Sequence, residues 1–402
     1  MNVWYICKYV SYPGRGYVGM RAYFLMEELS KLDCNVDLIT STASSFLEEG
    51  ANPESVSVSR SFSFHQLAGR QYLKAGSLAR VMSWIEFEIR VLFLKKKNLR
   101  RPDVVIASSL SILSIINGFI WSKVYKAKLV FEVRDIWPLT LTEEGGFSKF
   151  NPFIVVLSLV ERWAYNVSDL IIGTMPNLKA HVSCVCKNEA LNVICIPIGI
   201  PDDISNPFFS SGIGGPGIKQ NKFVIGYAGT VGTTNALDAL FSALERIDLV
   251  HRNIECHIVG GGPMLDYYLE RYSHIANLSF FGHVKKENIA EVISGFDVVY
   301  FSTFKSRVWE YGQSLNKLVD YMLAGKPILG SYSGFQSMVN EAGCGWFIEA
   351  ENSDLLSSRI VELSKMSRYE LASVGLKGRT WLLKNRKYSV LAKSLKLHLS
   401  HL

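Results

Sequence analysis

No long polar or low-complexity tract interrupts this sequence of 402 residues. General disorder is thereby excluded: 48% hydrophobic and 20% charged residues leave enough apolar material for two cores. No C-x-x-C pair and no His/Cys cluster has metal-ligand spacing, so no metal is expected. The seven cysteines are odd in number and several lie in apolar runs, as free thiols of a reducing compartment do. The first residues, Met1-Asn2-Val3-Trp4-Tyr5-Ile6-Cys7-Lys8, lack the basic start and long apolar stretch of a signal peptide, so a cytoplasmic location is expected. One run, residues 104–121, carries no charge and nears membrane-spanning length. It holds Ser108, Ser109, Ser111, Ser114, Asn117 and Gly118 and follows Pro102-Asp103 directly, which fits a buried strand and a helix instead.

The net charge of +7 is uneven, with 13 Lys/Arg against three acids between Arg60 and Lys128. Such a surplus favours an anionic partner: nucleic acid, membrane phosphate or a pyrophosphate substrate. A solvated basic face is the plainer alternative. Residues 81–97 set Val81, Trp84, Ile85, Ile89, Leu92 and Phe93 among Arg80, Arg90, Lys95, Lys96 and Lys97. This pattern matches an interfacial amphipathic helix, and equally a core helix with a basic end.

Short β-branched runs alternate with helical spacing throughout. Strands are expected at 3–9, 36–40, 104–108, 129–133 and 170–173, with a helix at 20–31. The pattern then restarts, with strands at 222–228, 254–259, 278–281, 298–301 and 327–330 and helices at 237–247 and 315–323. A Pro/Gly-rich stretch at 197–217 separates the two series. The expected fold class is α/β: two Rossmann-like doubly wound parallel-sheet domains facing across a cleft, residues 1–200 and 201–385. Residues 386–402 are expected to form a helix packing back on the first domain, within a helical, basic stretch over 368–402.

Five segments have the residues for chemistry. Glycine-bearing turns follow the first strand of each half, at 12–20 and 224–232, and a third lies at 259–264. Glycines let backbone N–H groups approach an anion. None is a G-x-G-x-x-G, and Leu38-Ile39-Thr40 offers no acid for a ribose, so a nicotinamide cofactor is disfavoured. In the fourth segment, Ser314 is expected to cap a helix carrying Lys317 and Asp320 on one face. Lys317 suits a phosphate and Asp320 a ribose; the alternative is a surface Lys–Asp pair. The fifth, Arg134-Asp135-Ile136-Trp137-Pro138, closes a strand and turns charge toward the cleft, unless the two charges only form a buried pair that sets the loop.

Ala228-Gly229-Thr230, Gly260-Gly261-Gly262-Pro263, Phe281-Gly282-His283-Val284 and Asn316-Lys317 through Ala324-Gly325-Lys326-Pro327 occur in an order that resembles glycosyltransferase family 4, a retaining family with the GT-B fold. The Arg134–Pro138 segment and Ser314-x-Asn316-Lys317 resemble its bacterial surface-polysaccharide (O-antigen and capsule) branch. The resemblance implies a nucleotide diphosphate-sugar donor, UDP-linked, in the second half and an acceptor in the first. It places the backbone of His283 and Val284 at the base, Asp320 at the ribose, and Gly19 and Met20 at the diphosphate. Gly229, Thr230, Gly261, Gly262, Ser314 and Asn316 complete the implied donor site. The family pairs two glutamates eight positions apart. Here Gly312 stands at the first, with Glu310 as a nearby substitute. The loop at 229–236 lacks the family's positive charges, which leaves Lys317 as their replacement, with Lys305 and Arg307 in reserve.

Catalysis is expected to need no cofactor and no metal, since no D-x-D is present. N–H dipoles and Lys317 are to stabilise the leaving diphosphate. Asp135, beside Arg134, is to orient the acceptor hydroxyl or act as base. The basic segment fits a polyprenyl-diphosphate-linked acceptor at the anionic cytoplasmic face of the inner membrane. An epimerase of the same fold and a non-catalytic partner in polysaccharide assembly remain alternatives. No nucleic-acid partner is expected, because no recognition motif accompanies the charge.

Overall fold

A computed structural model describes residues 1–11, 20–42, 55–70, 72, 78–95, 99–203, 222–248, 253–284 and 288–402. The glycine-bearing loop at 12–19, with Gly19, lies outside them, as do Lys96, Lys97 and residues 204–221. The chain divides into two units, Met1–Pro201 with Tyr388–Leu402, and Asp202–Lys387.

The first unit runs β1 (Asn2–Ile6), α1 (Met20–Ser30), β2 (Asn35–Ser41), β3 (Ser55–Ser59), β4 (Phe62–Leu67), α2 (Leu78–Leu92), β5 (Val104–Ser108), α3 (Ser114–Tyr125), β6 (Lys128–Val133), α4 (Leu139–Glu143), α5 (Pro152–Val167), β7 (Leu170–Gly173), α6 (Leu178–Cys186) and β8 (Val193–Cys195). Its sheet has the order β3-β4-β2-β1-β5-β6-β7-β8 and is parallel except for β3, which pairs antiparallel with β4. β5 is Val-Val-Ile-Ala-Ser and buried throughout, as a strand covered on both faces must be. The uncharged run 104–121 thus divides into β5, a 3-10 turn and α3. Gly118 lets α3 lie close, since a β-carbon there would fall 2.9 Å from Ala107 Cβ. Among the described residues no helix is long and apolar enough to cross a membrane.

Right-handed crossovers place α2, α3, α5 and α6 on one face of this sheet and α1 on the other. Trp4, Ile6, Phe87, Val91 and Trp121 pack on the α2/α3 side, while Val3, Tyr5, Ala22 and Met26 pack on the α1 side.

The second unit runs β9 (Phe223–Ala228), α7 (Asp238–Asp248), β10 (Ile254–Val259), α8 (Leu265–Tyr272), β11 (Leu278–Phe280), α9 (Ile289–Ser294), β12 (Val298–Ser302), α10 (Asn316–Leu323), β13 (Ile328–Ser331), α11 (Met338–Ala342), β14 (Gly345–Ile348), α12 (Ser353–Leu363) and α13 (Arg368–Asn385). Its six strands are all parallel, in the order β11-β10-β9-β12-β13-β14. Strand order reverses between β9 and β12. In an open α/β sheet, that switch point opens a crevice at the strands' carboxyl ends.

The helical stretch at 368–402 is two helices. Ser367 and Glu370 form a capping box at the start of α13. After Lys387 the chain returns to the first unit, where Tyr388 N–H donates to Ile200 O (2.9 Å) and opens α14 (Tyr388–Leu399). There Leu391, Leu395 and Leu399 join the α1 side of the core.

Candidate functional site

Three loops leave β9, β10 and β11 side by side, knitted by backbone bonds. Gly229 N–H donates to Val259 O (2.9 Å), Val231 N–H to Gly261 O (2.9 Å) and Gly260 N–H to Gly282 O (2.7 Å). This packing explains two of the glycines. A β-carbon at Gly260 would sit 1.8 Å from Gly229 O, and one at Gly262 would sit 2.3 Å from Val231 O. Gly229 and Gly261 are less crowded: a β-carbon at Gly229 would lie 3.3 Å from Tyr227 Oη and 3.7 Å from Lys317 Cε, and one at Gly261 would lie 3.7 Å from His283 Cβ. His283 is exposed and Val284 half-buried, just beyond β11.

α10 leans on the β9 loop. The Tyr321 hydroxyl accepts from Ala228 N–H (2.9 Å) and donates to Ala228 O (3.0 Å). Leu315, not Ser314, is the residue before the first turn, and it caps no N–H with its side chain. Ser314 stands one position too early for the capping role expected of it. Asn316 begins the helix, exposed, and Lys317 follows.

Lys317 Nζ donates to Tyr227 Oη (3.1 Å) and Asn235 Oδ1 (2.5 Å), and lies 4.8 Å from the Tyr227 ring centre. Both partners are themselves tied to Thr230 O, through the Tyr227 hydroxyl (2.6 Å) and Asn235 Nδ2 (2.9 Å). The cation therefore rests on neutral oxygens, and burial pushes its pKa down to about 8. The Lys–Asp pair that spacing offered is not what holds it. Asp320 lies one turn along α10, half-buried.

The β12 loop completes the switch point. Ser302 Oγ donates to Asn235 O (2.6 Å). Thr303 Oγ1 and Trp309 Nε1 are buried and meet no hydrogen-bond partner among the described residues, and the buried Gln313 amide lies beside the Tyr332 hydroxyl. Orphaned buried polar atoms are costly unless a ligand or water meets them. Glu310 is exposed in the 3-10 turn Arg307–Tyr311. Gly312, eight positions before Asp320, has φ +101°. That conformation favours glycine over any residue with a side chain. Lys305 is bound to Glu349 (2.7 Å), which leaves Lys317 better placed at the loops. A pocket of about 230 Å³ lies beside Ala236, Asp238, Phe304 and Glu351. None of the expected donor residues lines it, and its two carboxylates suit a diphosphate poorly.

In the first unit, Met20 opens α1, half-buried. Arg134 and Asp135 directly follow β6. Arg134 N–H donates to Ser109 Oγ (2.9 Å), and its Nη1 is buried without a partner among the described residues. Asp135 is open to solvent yet closely surrounded by protein. Desolvation raises its carboxyl, against the pull of Arg134 and Arg80. One residue before β6 ends, Glu132 pairs with Arg21 (2.5 Å) and accepts from the Tyr5 hydroxyl. Burial alone would raise Glu132, but Arg21 and Arg134 outweigh it and hold the carboxyl below its usual value. Arg21 also donates to Ile196 O (2.5 Å) and Pro197 O (3.2 Å). Arg134 and Asp135 interact electrostatically but form no ion pair at contact distance; Glu132, nearby, forms a buried pair with Arg21.

Sequence reasoning missed Tyr227, Asn235, Thr303, Trp309 and Tyr321. Tyr227 and Tyr321 lay within segments already marked, and Asn235 within the loop at 229–236, but none of them had been given a role.

Among solved structures, the chain is similar to sucrose-phosphate synthase from Thermosynechococcus elongatus (TM-score 0.72, 15% identity, covering 100% of this chain and 98% of that one). It is similar to the trehalose-6-phosphate protein of E. coli bound with UDP-2-fluoro glucose (TM-score 0.72, 12% identity, 100% and 99%). Anabaena HepE in complex with UDP-glucose is also similar (TM-score 0.62, 15% identity, 100% of both chains). The fold is GT-B. Residues 222–366, most of the second GT-B unit, match the family described as glycosyl transferases group 1. A search of the curated proteins finds no significant match.

Proposed function

We propose that this GT-B protein is a glycosyltransferase that takes a sugar from a UDP-sugar, with the second unit binding the donor and the first unit the acceptor. The observation that carries this reading is Lys317, a half-buried, closely surrounded cation on neutral partners beside the β9 loop at the switch point. An arriving diphosphate supplies a countercharge that the Tyr227 and Asn235 partners of Lys317 do not. Gly229, Thr230, Gly261 and Gly262 line the diphosphate, Asp320 takes the ribose, and the His283–Val284 backbone takes the base. Thr303 and Trp309 offer buried partners to donor hydroxyls. The group 1 match supports glycosyl transfer, and the UDP-bound similar structures support the choice of UDP.

The finer reading is a retaining family 4 enzyme of surface-polysaccharide synthesis, moving a hexosyl or N-acetylhexosaminyl group. The bond from the anomeric carbon to the β-phosphate oxygen breaks, with its electron pair passing to the phosphate. The acceptor oxygen bonds to the same face of that carbon, and its proton goes to the departing phosphate. Asp135 orients the acceptor hydroxyl.

A lipid-linked acceptor at an anionic membrane surface is supported by the helical face of the first unit. Among the described residues, twelve of its fourteen exposed large apolar side chains lie on α2 or directly after it, on α3, on α5 or in the loop before α5, among them Phe93, Val124, Phe150 and Leu159. α3 and α5 touch through Phe119 and Trp163, and the exposed Lys95, Lys123, Lys126, Lys149 and Arg162 stand among them. Scattered apolar exposure is ordinary, but concentration on one basic face fits an anionic interface.

The test is UDP release from a panel of UDP-hexoses with a short-chain prenyl diphosphate sugar as acceptor. Acceptor-dependent UDP release with a new glycoside supports transfer. Release of an isomerised sugar without acceptor would point to an epimerase, and no turnover with any pair would favour a non-catalytic partner.

A further inference from the structure

One cavity of the second unit stands apart from every residue assigned to the donor. It has a volume of about 230 Å³ and lies where α7 and α12, packed side by side, both begin. Asp238 and Ser242, one turn apart on α7, line it together with Ala239. Glu351 and Ser353 line it from the start of α12, and Phe304, half-buried just beyond β12, closes a side. One oxygen of Asp238 accepts from the Tyr268 hydroxyl (2.8 Å), and one of Glu351 accepts from Lys305 N–H (2.9 Å). The other oxygen of each carboxylate and both serine hydroxyls meet no partner among the described residues. No lysine or arginine side chain lines the cavity, and Lys305 Nζ is turned to Glu349 (2.7 Å).

Size narrows the ligand first. Pockets for drug-sized molecules begin at roughly 300 Å³, so this one admits a single small ring and not a nucleotide. Charge narrows it next. Two carboxylates without a lining cation repel phosphates and uronic acids. They do not call for a bound cation, because two helix amino termini lie beside them and each already holds one donor. Nor is a metal set complete: among the described residues no group of three His, Cys, Asp or Glu side chains could hold an ion. Carboxylates only accept, so the lining wants hydroxyl donors. The Phe304 ring and the Ala239 methyl want an apolar surface. A neutral pyranose supplies both, with hydroxyls around its rim and C–H groups on its face.

We propose that this cavity is a second carbohydrate site, which holds one uncharged sugar ring independently of the donor. Phe304 takes the C–H face, Asp238 and Glu351 accept from ring hydroxyls, and Ser242 and Ser353 bond the hydroxyls that remain. The choice of a sugar among neutral polyols rests on reading the chain as a glycosyltransferase. A free monosaccharide and a residue of a glycan chain share this chemistry, and the assay separates them.

The experiment is saturation-transfer NMR with isothermal titration of the full chain, with and without saturating UDP. The probes are glucose, galactose and N-acetylglucosamine, their 1-phosphates, the disaccharides maltose, cellobiose and lactose, and 1,4-diaminobutane. The expected result is that at least one neutral sugar binds with Kd on the order of 1 mM, undisturbed by UDP, and at least about tenfold tighter than its 1-phosphate. Ala239→Leu fills the cavity from a helix position that suits leucine, so it abolishes sugar binding and leaves Tm and UDP affinity unchanged. Glu351→Gln weakens the sugar about tenfold. Phe304→Ala weakens it too, and Phe304→Tyr recovers most of the loss, which a folding defect would not do. Tighter binding of a disaccharide than of its monosaccharides assigns a glycan chain, and equal or weaker binding assigns the free sugar. The proposal is overturned if no neutral sugar binds at tens of millimolar, if UDP displaces the sugar, or if binding is undiminished in Ala239→Leu. Binding of 1,4-diaminobutane in place of every sugar also overturns it. None of these results touches the donor reading while UDP still binds. Sugar binding of the expected kind in a chain that binds no UDP upholds this site and overturns the donor reading.

Discussion

Replacing Lys317 with methionine separates stability from function. Lys317 has a pKa of about 8 against its usual 10.5 because it is buried. A shift of that size corresponds to a burial penalty on the order of 3 kcal/mol for the charged form at neutral pH. Its bonds to Tyr227 Oη and Asn235 Oδ1 return about 1 kcal/mol each, and both partners keep a bond to Thr230 O. Methionine retains the stem and sheds the charge, so the free protein should gain about 1 kcal/mol. That is a rise of about 2–4 °C in Tm for a unit of this size. UDP affinity should move the opposite way, falling about 10- to 150-fold with the loss of a charge-assisted bond. The pH dependence has a fixed sign. The penalty is fully present below about pH 8 and fades as pH rises toward the usual lysine value, so free-protein stability rises across that window. UDP affinity falls in the same window, and in the variant both trends vanish. Calorimetric melts and UDP titrations from pH 7 to 9.5 read both. A variant that melts well below wild type while binding UDP as before would refute the reasoning and make Lys317 a structural residue.

Gly260→Ala places a β-carbon 1.8 Å from Gly229 O, so the two loops must part. A loss of at least about 2 kcal/mol in chemical denaturation is expected, together with weaker UDP binding. Glu132→Gln leaves Arg21 buried and uncompensated, for a cost of about 3–5 kcal/mol. Because the Glu132 carboxyl is held low, its contribution is present above the unfolded carboxylate's value of about 4.3 and is lost as pH falls through the folded value. Acid titration of stability should therefore be flatter in that variant. Asp135→Asn should lower kcat by about 10²-fold without moving UDP affinity, as followed by UDP release and titration.

Much of the fold was legible because buried parallel strands are short apolar runs with sharp ends. Those at 104–108, 170–173 and 254–259 were read at their observed bounds. β3 and β4 were passed over, although Ser55-Val56-Ser57-Val58-Ser59 alternates with strand period, and its burial alternates with it. At the site, the sequence marked the right loops but not what their residues do. Gly260 and Gly262 serve contacts between two loops about 30 residues apart, which no local pattern encodes. The partners of Lys317 lie 90 and 82 positions away, so spacing alone offered only Asp320. The hydrogen-bonded rings of Tyr9, Tyr72 and Trp84, which Trp137 meets through Trp84, come from three separate segments, and nothing near Arg134 announced them.

The most direct measurement is titration of UDP, GDP, ADP and CMP into the wild-type chain and into Asp320→Ala. The account predicts that UDP binds at least about tenfold tighter than the other three and that Asp320→Ala weakens it by a similar factor. No heat with any nucleotide at millimolar concentration, or UDP affinity unchanged in Asp320→Ala, would contradict the donor site in the second unit.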